Sequence, residues 1–313
     1  MIKMKIVFFG TPEFAVCSLK AIMGAGYDVA AVVTSPDRIG GRGNKLIESD
    51  VKKYAIENNI PVLQPERLRD PEFISALKEI GADVFVVIAF RMLPEVVWSL
   101  PPKGTFNLHA SLLPQLRGAA PINHAIIAGF KSTGVTTFYI NSEIDKGETL
   151  LCERTSIEED DDAGSLHDRL MLMGAELVIK TLQGIEGGTL LPSPQPQTDG
   201  FTPAPKIFKA DCKINFNQPA KNISRFIRGL SPYPGAWCKI ILSENKEIEA
   251  KILKAKPEYI TLGLEPGMCS IQNKTLLVST PEGALEIMQL QPAGKKAMDA
   301  KAFLAGYSPL KFE

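Results

Sequence analysis

Apolar residues at 6–9 form a short unbroken run ended by Gly10, and behind Pro12 the positions Phe14, Ala15, Leu19 and Ile22 recur at helical spacing. This reads as strand, turn and helix, with the proline where a first helical turn tolerates it. A second buried strand is expected over 29–33, then a polar, Gly/Arg-rich loop over 35–45, and helices over 51–58 and 66–80. Residues 84–89 are apolar on both faces, the pattern of a central strand in a parallel sheet. A strand at 104–108, a helix at 119–128, an alternating strand at 135–140 and a long amphipathic helix at 163–182 follow. The βαβ alternation predicts an α/β layer with right-handed crossovers.

Composition then shifts. Pro192, Pro194, Pro196, Pro203 and Pro205 lie among Ser, Thr, Gln and Gly, which predicts a stiff extended linker. The expected organisation is therefore a first domain over 1–190, a Pro-rich linker over 191–205 and a second domain over 206–313. In the last of these a strand-like run at 213–216 and a helix at 220–230 precede short β-rich stretches at 238–242, 248–254, 259–264, 275–279 and 284–290. Strands at that spacing predict a small sheet or barrel. An oligonucleotide-binding (OB-like) barrel suits the pattern, and so does an unspecialised β domain.

With 313 residues, 45% hydrophobic and 22% charged, the chain falls in the globular range and outside the disordered, collagenous and rod-like classes. Its most apolar stretch, 84–90, is far too short to span a bilayer, and the start 1–10 lacks the length and cleavage site of a signal peptide, so a cytoplasmic protein without membrane association is expected. Five scattered cysteines with no Cys-x-x-Cys pair read as structural thiols. Net charge is zero but uneven: residues 206–313 hold 16 Lys and Arg against 10 Asp and Glu, and residues 1–205 hold 19 against 25. That asymmetry fits a polyanionic partner for the C-terminal part, though an ordinary solvated surface has the same composition.

The chain has three histidines. His124 and His167 fall on expected helices, where a structural role is the ordinary reading. His109 ends an expected strand, and in open α/β sheets the ligand crevice lies outside the carboxyl ends of the strands. Period-two alternation puts Asn107 on the same side as His109, so an amide donor and an imidazole can converge on one developing negative charge. Asp145, in Ile144-Asp145-Lys146-Gly147 after the strand at 135–140, is the candidate carboxylate to fix the tautomer of His109 and relay a proton; the same composition also makes a plain turn. No Gly-x-Ser-x-Gly elbow, no metal-ligand spacing and no Gly-x-Gly-x-x-Gly fingerprint is present, which argues against a covalent hydrolase, a metal site and dinucleotide binding. The segment 36–45 sets Arg38, Arg42 and Lys45 among Gly40, Gly41 and Gly43, offering cations to phosphate.

The stretch from Asn107 to Ile122, Asn-Leu-His-Ala-Ser-Leu-Leu-Pro-Gln-Leu-Arg-Gly-Ala-Ala-Pro-Ile, resembles the signature of folate-dependent formyltransferases. The resemblance extends to 10–15, to Pro36-Asp37-Arg38 and Gly41-Arg42-Gly43, to Asp145-Lys146-Gly147 and to 227–237, nearly the whole chain. It implies a Rossmann-like domain with a mainly parallel sheet, followed by a smaller β-barrel. It further implies transfer of a formyl group from 10-formyltetrahydrofolate to the α-amino group of methionine on initiator tRNA, with no metal and with a monomeric protein. Asn107, His109 and Asp145 match the family's catalytic trio. Ser111, Leu112, Leu113 and Pro114 match its folate-associated segment. Arg38, Arg42 and Lys45 fall on its tRNA-contacting loop. Gln115-Leu116 and Phe216 depart from the family's usual basic or aromatic pair and Trp, and neither departure touches the trio.

Overall fold

The computed structural model describes residues 3–40, 45–196, 200–243 and 246–313. In chain order the elements are β1 (Lys5–Gly10), α1 (Glu13–Gly24), β2 (Asp28–Val33), β3 (Arg38–Gly40), β4 (Lys45–Ile47), α2 (Asp50–Glu57), β5 (Val62–Leu63), α3 (Pro71–Ile80), β6 (Val84–Ile88), α4 (Glu95–Trp98) and β7 (Thr105–His109). They continue with α5 (Pro121–Ile127), β8 (Ser132–Tyr139), β9 (Thr149–Ser156), α6 (Ala163–Glu186), a 3-10 turn (Lys209–Cys212), α7 (Ala220–Leu230) and β10 (Ala236–Leu242). The last are β11 (Glu247–Glu258), β12 (Cys269–Gln272), β13 (Thr275–Ser279), β14 (Ala284–Pro292), β15 (Met298–Asp299), α8 (Ala300–Gly306) and β16 (Pro309–Phe312). The contacts divide the chain into two compact units, one of Met1–Gly118, Thr133–Thr155 and His167–Pro203, the other of Ala119–Ser132, Ser156–Leu166 and Ala204–Glu313.

The first unit is built on a seven-stranded sheet of order β5-β2-β1-β6-β7-β8-β9. Pairing is parallel from β5 through β7, and β8 runs antiparallel to β7. All five residues of β6 are buried, each apolar side chain there contributing about 1.5–3 kcal/mol by leaving water. From β1 the chain moves outward through β2 to β5, then returns to lay β6 on the other flank of β1. Beside such a reversal the carboxyl ends of neighbouring strands open a crevice. Gly10 pairs with Ile88, and Ile88 with Leu108, so the ends of β1, β6 and β7 are level and His109 lies one residue past them. Gly10 is closely packed: a Cβ there would come within 2.7 Å of the Ala15 Cβ.

In the second unit the strand order β12-β13-β14-β11-β10-β16 is antiparallel throughout, with β15 added to β14. Met268 bridges to Lys311, and the Phe312 amide donates to the Gly267 carbonyl at 2.8 Å, which ties the two ends of this order together into a nearly closed barrel. Its core gathers Ile223, Ile227 and Leu230 of α7 with Ile240, Ile252, Val278, Ile287, Phe303 and Phe312.

Several expected elements take another form. Residues 213–216 contribute a single bridge, Lys213 to Trp237. Residues 259–264 are not a strand: β11 pairs with β14 only as far as Glu258 opposite Ala284, so nothing remains to pair with Tyr259, which is 89% exposed. The third helix starts at Pro71 rather than 66, capped by the Asp70 carboxylate, which accepts from the Glu72 amide at 3.0 Å. The loop expected over 35–45 carries paired stems, Arg38 opposite Ile47 and Gly40 opposite Lys45. Among the described residues no helix is long and apolar enough to cross a membrane.

Candidate active site

His109 ends β7 with its ring buried. Its Nε2 lies 2.8 Å from the carbonyl oxygen of Leu116, and its Nδ1 lies 3.8 Å from Asp145 Oδ2. A carbonyl can only accept, so Nε2 carries the proton and Nδ1 is the nitrogen left for chemistry. The tautomer is therefore set by the Leu116 carbonyl; the carboxylate, expected from sequence to fix it, stands beyond hydrogen-bond length and acts through its charge. Leu116 presents its carbonyl in the left-handed region, at φ 61°, with its own amide donating to the Thr202 carbonyl at 2.8 Å.

Two residues earlier Asn107 is half-buried, flanked by Val87 on β6 and Phe138 on β8. Among the described residues its side-chain amide has no hydrogen-bond partner, so its donors and its acceptor are free for a ligand.

Asp145 reaches the site by an indirect path. Because β8 is antiparallel to β7, Tyr139 sits opposite Phe106 and not beside His109. The chain beyond Tyr139 turns back toward the imidazole, and Asp145 takes φ 54° in doing so. Its Oδ2 accepts from the Gly118 amide at 2.9 Å. Gly147 completes the turn against β8: a Cβ there would fall 1.6 Å from the Tyr139 carbonyl oxygen, so only glycine fits.

Of the segment 111–114, Ser111 is buried and its hydroxyl donates to the Gln115 carbonyl at 2.6 Å, while its carbonyl accepts from Thr136 Oγ1 at 2.7 Å. Its polar groups are used within the loop. Leu112, Leu113 and Pro114 are half-buried, with a cis peptide between the last two, and leave apolar surface for a ligand. On β3, which pairs with β4, Arg38 is exposed, as are Ile39, Leu46 and Ile47. Asp37 anchors the base of β3, paired with the Lys52 ammonium, which holds the carboxyl below its usual range, and accepting from Gln64 Nε2 at 2.8 Å. Arg42 lies outside the described residues, and for Lys45 the pairing with Gly40 is what is described.

The other histidines are held locally. His124 Nε2 is 3.1 Å from the Pro205 carbonyl, and His167 meets Asp168 at 2.9 Å and the Phe14 ring at 5.3 Å. Burial pushes the Cys238 thiol up to about 12 and the Cys269 thiol up to about 11, so neither supplies a thiolate near neutrality. Among the described residues no group of three or more His, Cys, Asp or Glu is placed to hold a metal ion. Sequence reading missed Gln195 and Arg117. Arg117 donates to Gln195 Oε1, and Gln195 Nε2 reaches the carbonyls of Asp145 and Gly147. Gln195 stands among prolines with a second amide, Gln197, two positions on, so composition did not single it out.

The formyl transferase family matches residues 4–182 and its C-terminal domain matches residues 206–308. The chain belongs to the formyl transferase family. A methionyl-tRNA formyltransferase of Bacteroides fragilis is 46% identical over 308 residues, covering 97% of this chain and 95% of that protein. Another, from Azobacteroides pseudotrichonymphae, is 47% identical over 311 residues, with 97% and 96% covered. Among solved structures, HypX from Aquifex aeolicus in complex with tetrahydrofolic acid superposes with a TM-score of 0.66 at 18% identity, covering 96% of this chain and 47% of that one. The sugar 3N-formyl transferase WlaRD superposes with 0.63 at 20% identity, covering 94% and 99%. These two show that the fold is shared. As a member of the family, the chain is an enzyme that transfers a formyl group.

Proposed function

We propose that this formyltransferase moves the formyl group of 10-formyltetrahydrofolate onto the α-amino group of methionine carried by initiator tRNA. The observation that carries the acceptor is near-full-length identity of about 46% to methionyl-tRNA formyltransferases, in a chain that has the second domain and the basic segment 36–45. The donor supplies an activated formyl carbon bonded to a folate nitrogen. The half-buried apolar side chains of Leu112, Leu113 and Pro114 suit a flat heterocycle, and the Asn107 amide suits a carbonyl.

In this reading the amine adds to the formyl carbon and forms the new C–N bond, the attacking nitrogen then loses a proton, and collapse of the tetrahedral intermediate breaks the bond to the folate nitrogen, which takes up a proton and leaves as the N–H of tetrahydrofolate. Negative charge grows on the formyl oxygen, where Asn107 and Nδ1-protonated His109 donate. The Asp145 carboxylate, 3.8 Å from Nδ1, offsets the imidazolium and takes up a proton through water. Arg38, Arg42 and Lys45, with the C-terminal domain and its surplus of basic over acidic residues, hold tRNA phosphates. The protein works in the cytoplasm as a monomer.

The test is transfer of labelled formyl from 10-formyltetrahydrofolate to methionine-charged initiator tRNA, beside uncharged tRNA and an amino-sugar nucleotide. Product on the charged tRNA alone supports the reading; product on the sugar nucleotide and none on the tRNA overturns it.

A further inference from the structure

We infer that Gln195 is a positioning residue for Asp145, and that Gln195, Phe201 and Thr202 of the Pro-rich stretch support the active site rather than merely spacing the domains. The inference rests on the role given to Asp145 above. Gln195 is 8% exposed. Its Nε2 donates to the Asp145 carbonyl at 2.9 Å and to the Gly147 carbonyl at 2.8 Å, and its Oε1 accepts from Arg117 Nε at 3.1 Å and Nη2 at 2.6 Å. The orientation of the amide follows from chemistry: a guanidinium has no acceptor and carbonyls have no donor, so the oxygen must face Arg117 and the nitrogen must face the turn. Both donor hydrogens and the acceptor are engaged.

The turn needs such a tie. Asp145 has come back from the far end of β7 and sits in the left-handed region, a conformation that persists where surrounding contacts over-determine it. Three consecutive residues supply those contacts. Leu116 gives its carbonyl to His109, Arg117 gives its guanidinium to Gln195, and Gly118 gives its amide to the Asp145 carboxylate. Asp145 is thereby gripped twice from one dipeptide, directly at Oδ2 and through Gln195 at its backbone carbonyl, while the adjoining Leu116 holds the imidazole. Imidazole and carboxylate are referred to one short stretch of backbone, which fixes the 3.8 Å between them.

The Pro-rich segment makes further contacts here. Phe201 lies 5.0 Å under the Arg117 guanidinium, and the Thr202 carbonyl accepts from Leu116. Arg117 has no carboxylate partner among the described residues, so its charge is directed at a neutral amide oxygen and the flat face of a ring.

The experiment compares Gln195→Ala and Gln195→Glu with wild type, alone and on an Asp145→Asn background, in single-turnover formyl transfer and in steady state. The glutamate keeps the size of the side chain and the acceptor for Arg117, but faces an anionic oxygen toward two carbonyls. Both variants are expected to lose about tenfold to a hundredfold in kcat, the usual cost of a misplaced catalytic group, with KM for donor and tRNA within about twofold on the same grounds. On Asp145→Asn the loss is expected to shrink to within about twofold, because non-additivity marks residues that act as one unit. A readout independent of turnover is hydrogen exchange at the Gly118 amide, expected to speed up in both variants while the amides of β6 stay protected. If wild type fails to formylate charged tRNA, the functional reading falls and the Gly118 amide still decides this inference. Wild-type kcat in both variants, undiminished loss on the Asp145→Asn background, or unchanged Gly118 exchange would overturn it.

Discussion

At His109 the two ring nitrogens have different partners, and that difference divides the labour of the site. Nε2 is bonded to a backbone carbonyl, which holds the ring; Nδ1 faces a carboxylate across 3.8 Å, which leaves it free to meet the substrate. Asn107 is the complementary case, an amide with nothing to hold it among the described residues. Replacing Asn107 with Ala removes one donor to the developing oxyanion and is expected to lower single-turnover transfer by about 10²- to 10³-fold; a rate within threefold of wild type would mean that the amide serves something else. That Asn107 and His109 stand two positions apart on one strand was legible in the sequence because strand periodicity is a local property. The bonds from Leu116, Arg117 and Gln195 were not. They join residues as far apart in the chain as Leu116 and Thr202, through backbone groups and a neutral amide that carry no composition signal.

Among the elements, the buried run at 84–88 follows from pattern, whereas the level ends of β1, β6 and β7 are a matter of register that the structure supplies. Edge and partner-dependent strands were less legible. Only Leu150 is buried in β9, so no apolar face announces it. The reverse holds at 259–264, where an alternating apolar stretch has no strand to pair with. Strand propensity is realised only where a neighbour and a core accept it. The turn from β8 to β9 gives the prediction proper to this scale. Gly147→Ala forces a Cβ into the Tyr139 carbonyl, and is expected to cost about 3 kcal/mol in folding stability, read as a lowered Tm, together with loss of transfer as Asp145 shifts.

For the whole molecule, a parallel sheet with an antiparallel flank and a nearly closed antiparallel barrel agree with the architecture expected from strand spacing and family resemblance. The distribution of chain between the units was not legible: Ala119–Ser132 and Ser156–Leu166 pack with the C-terminal residues, because Asn123 Nδ2 donates to the Gly229 carbonyl at 2.8 Å and Arg228 donates to the Asp161 carbonyl, contacts that composition does not reveal. Charge at this scale predicts how the acceptor is held. With phosphates met by Lys and Arg, initiator tRNA is expected to bind at least about tenfold more weakly at 200 mM than at 50 mM salt, measured by filter binding; an affinity flat across that range would remove the phosphate contacts from the picture.

The most direct measurement is single-turnover formyl transfer from 10-formyltetrahydrofolate to methionine-charged initiator tRNA by wild type and by His109→Ala at equal, saturating protein. Rapid transfer by wild type and a loss of at least about a hundredfold in the variant is the expected result. Equal rates in the two proteins, or no formylmethionine in either while folate still binds, would contradict the assignment of this site to this reaction.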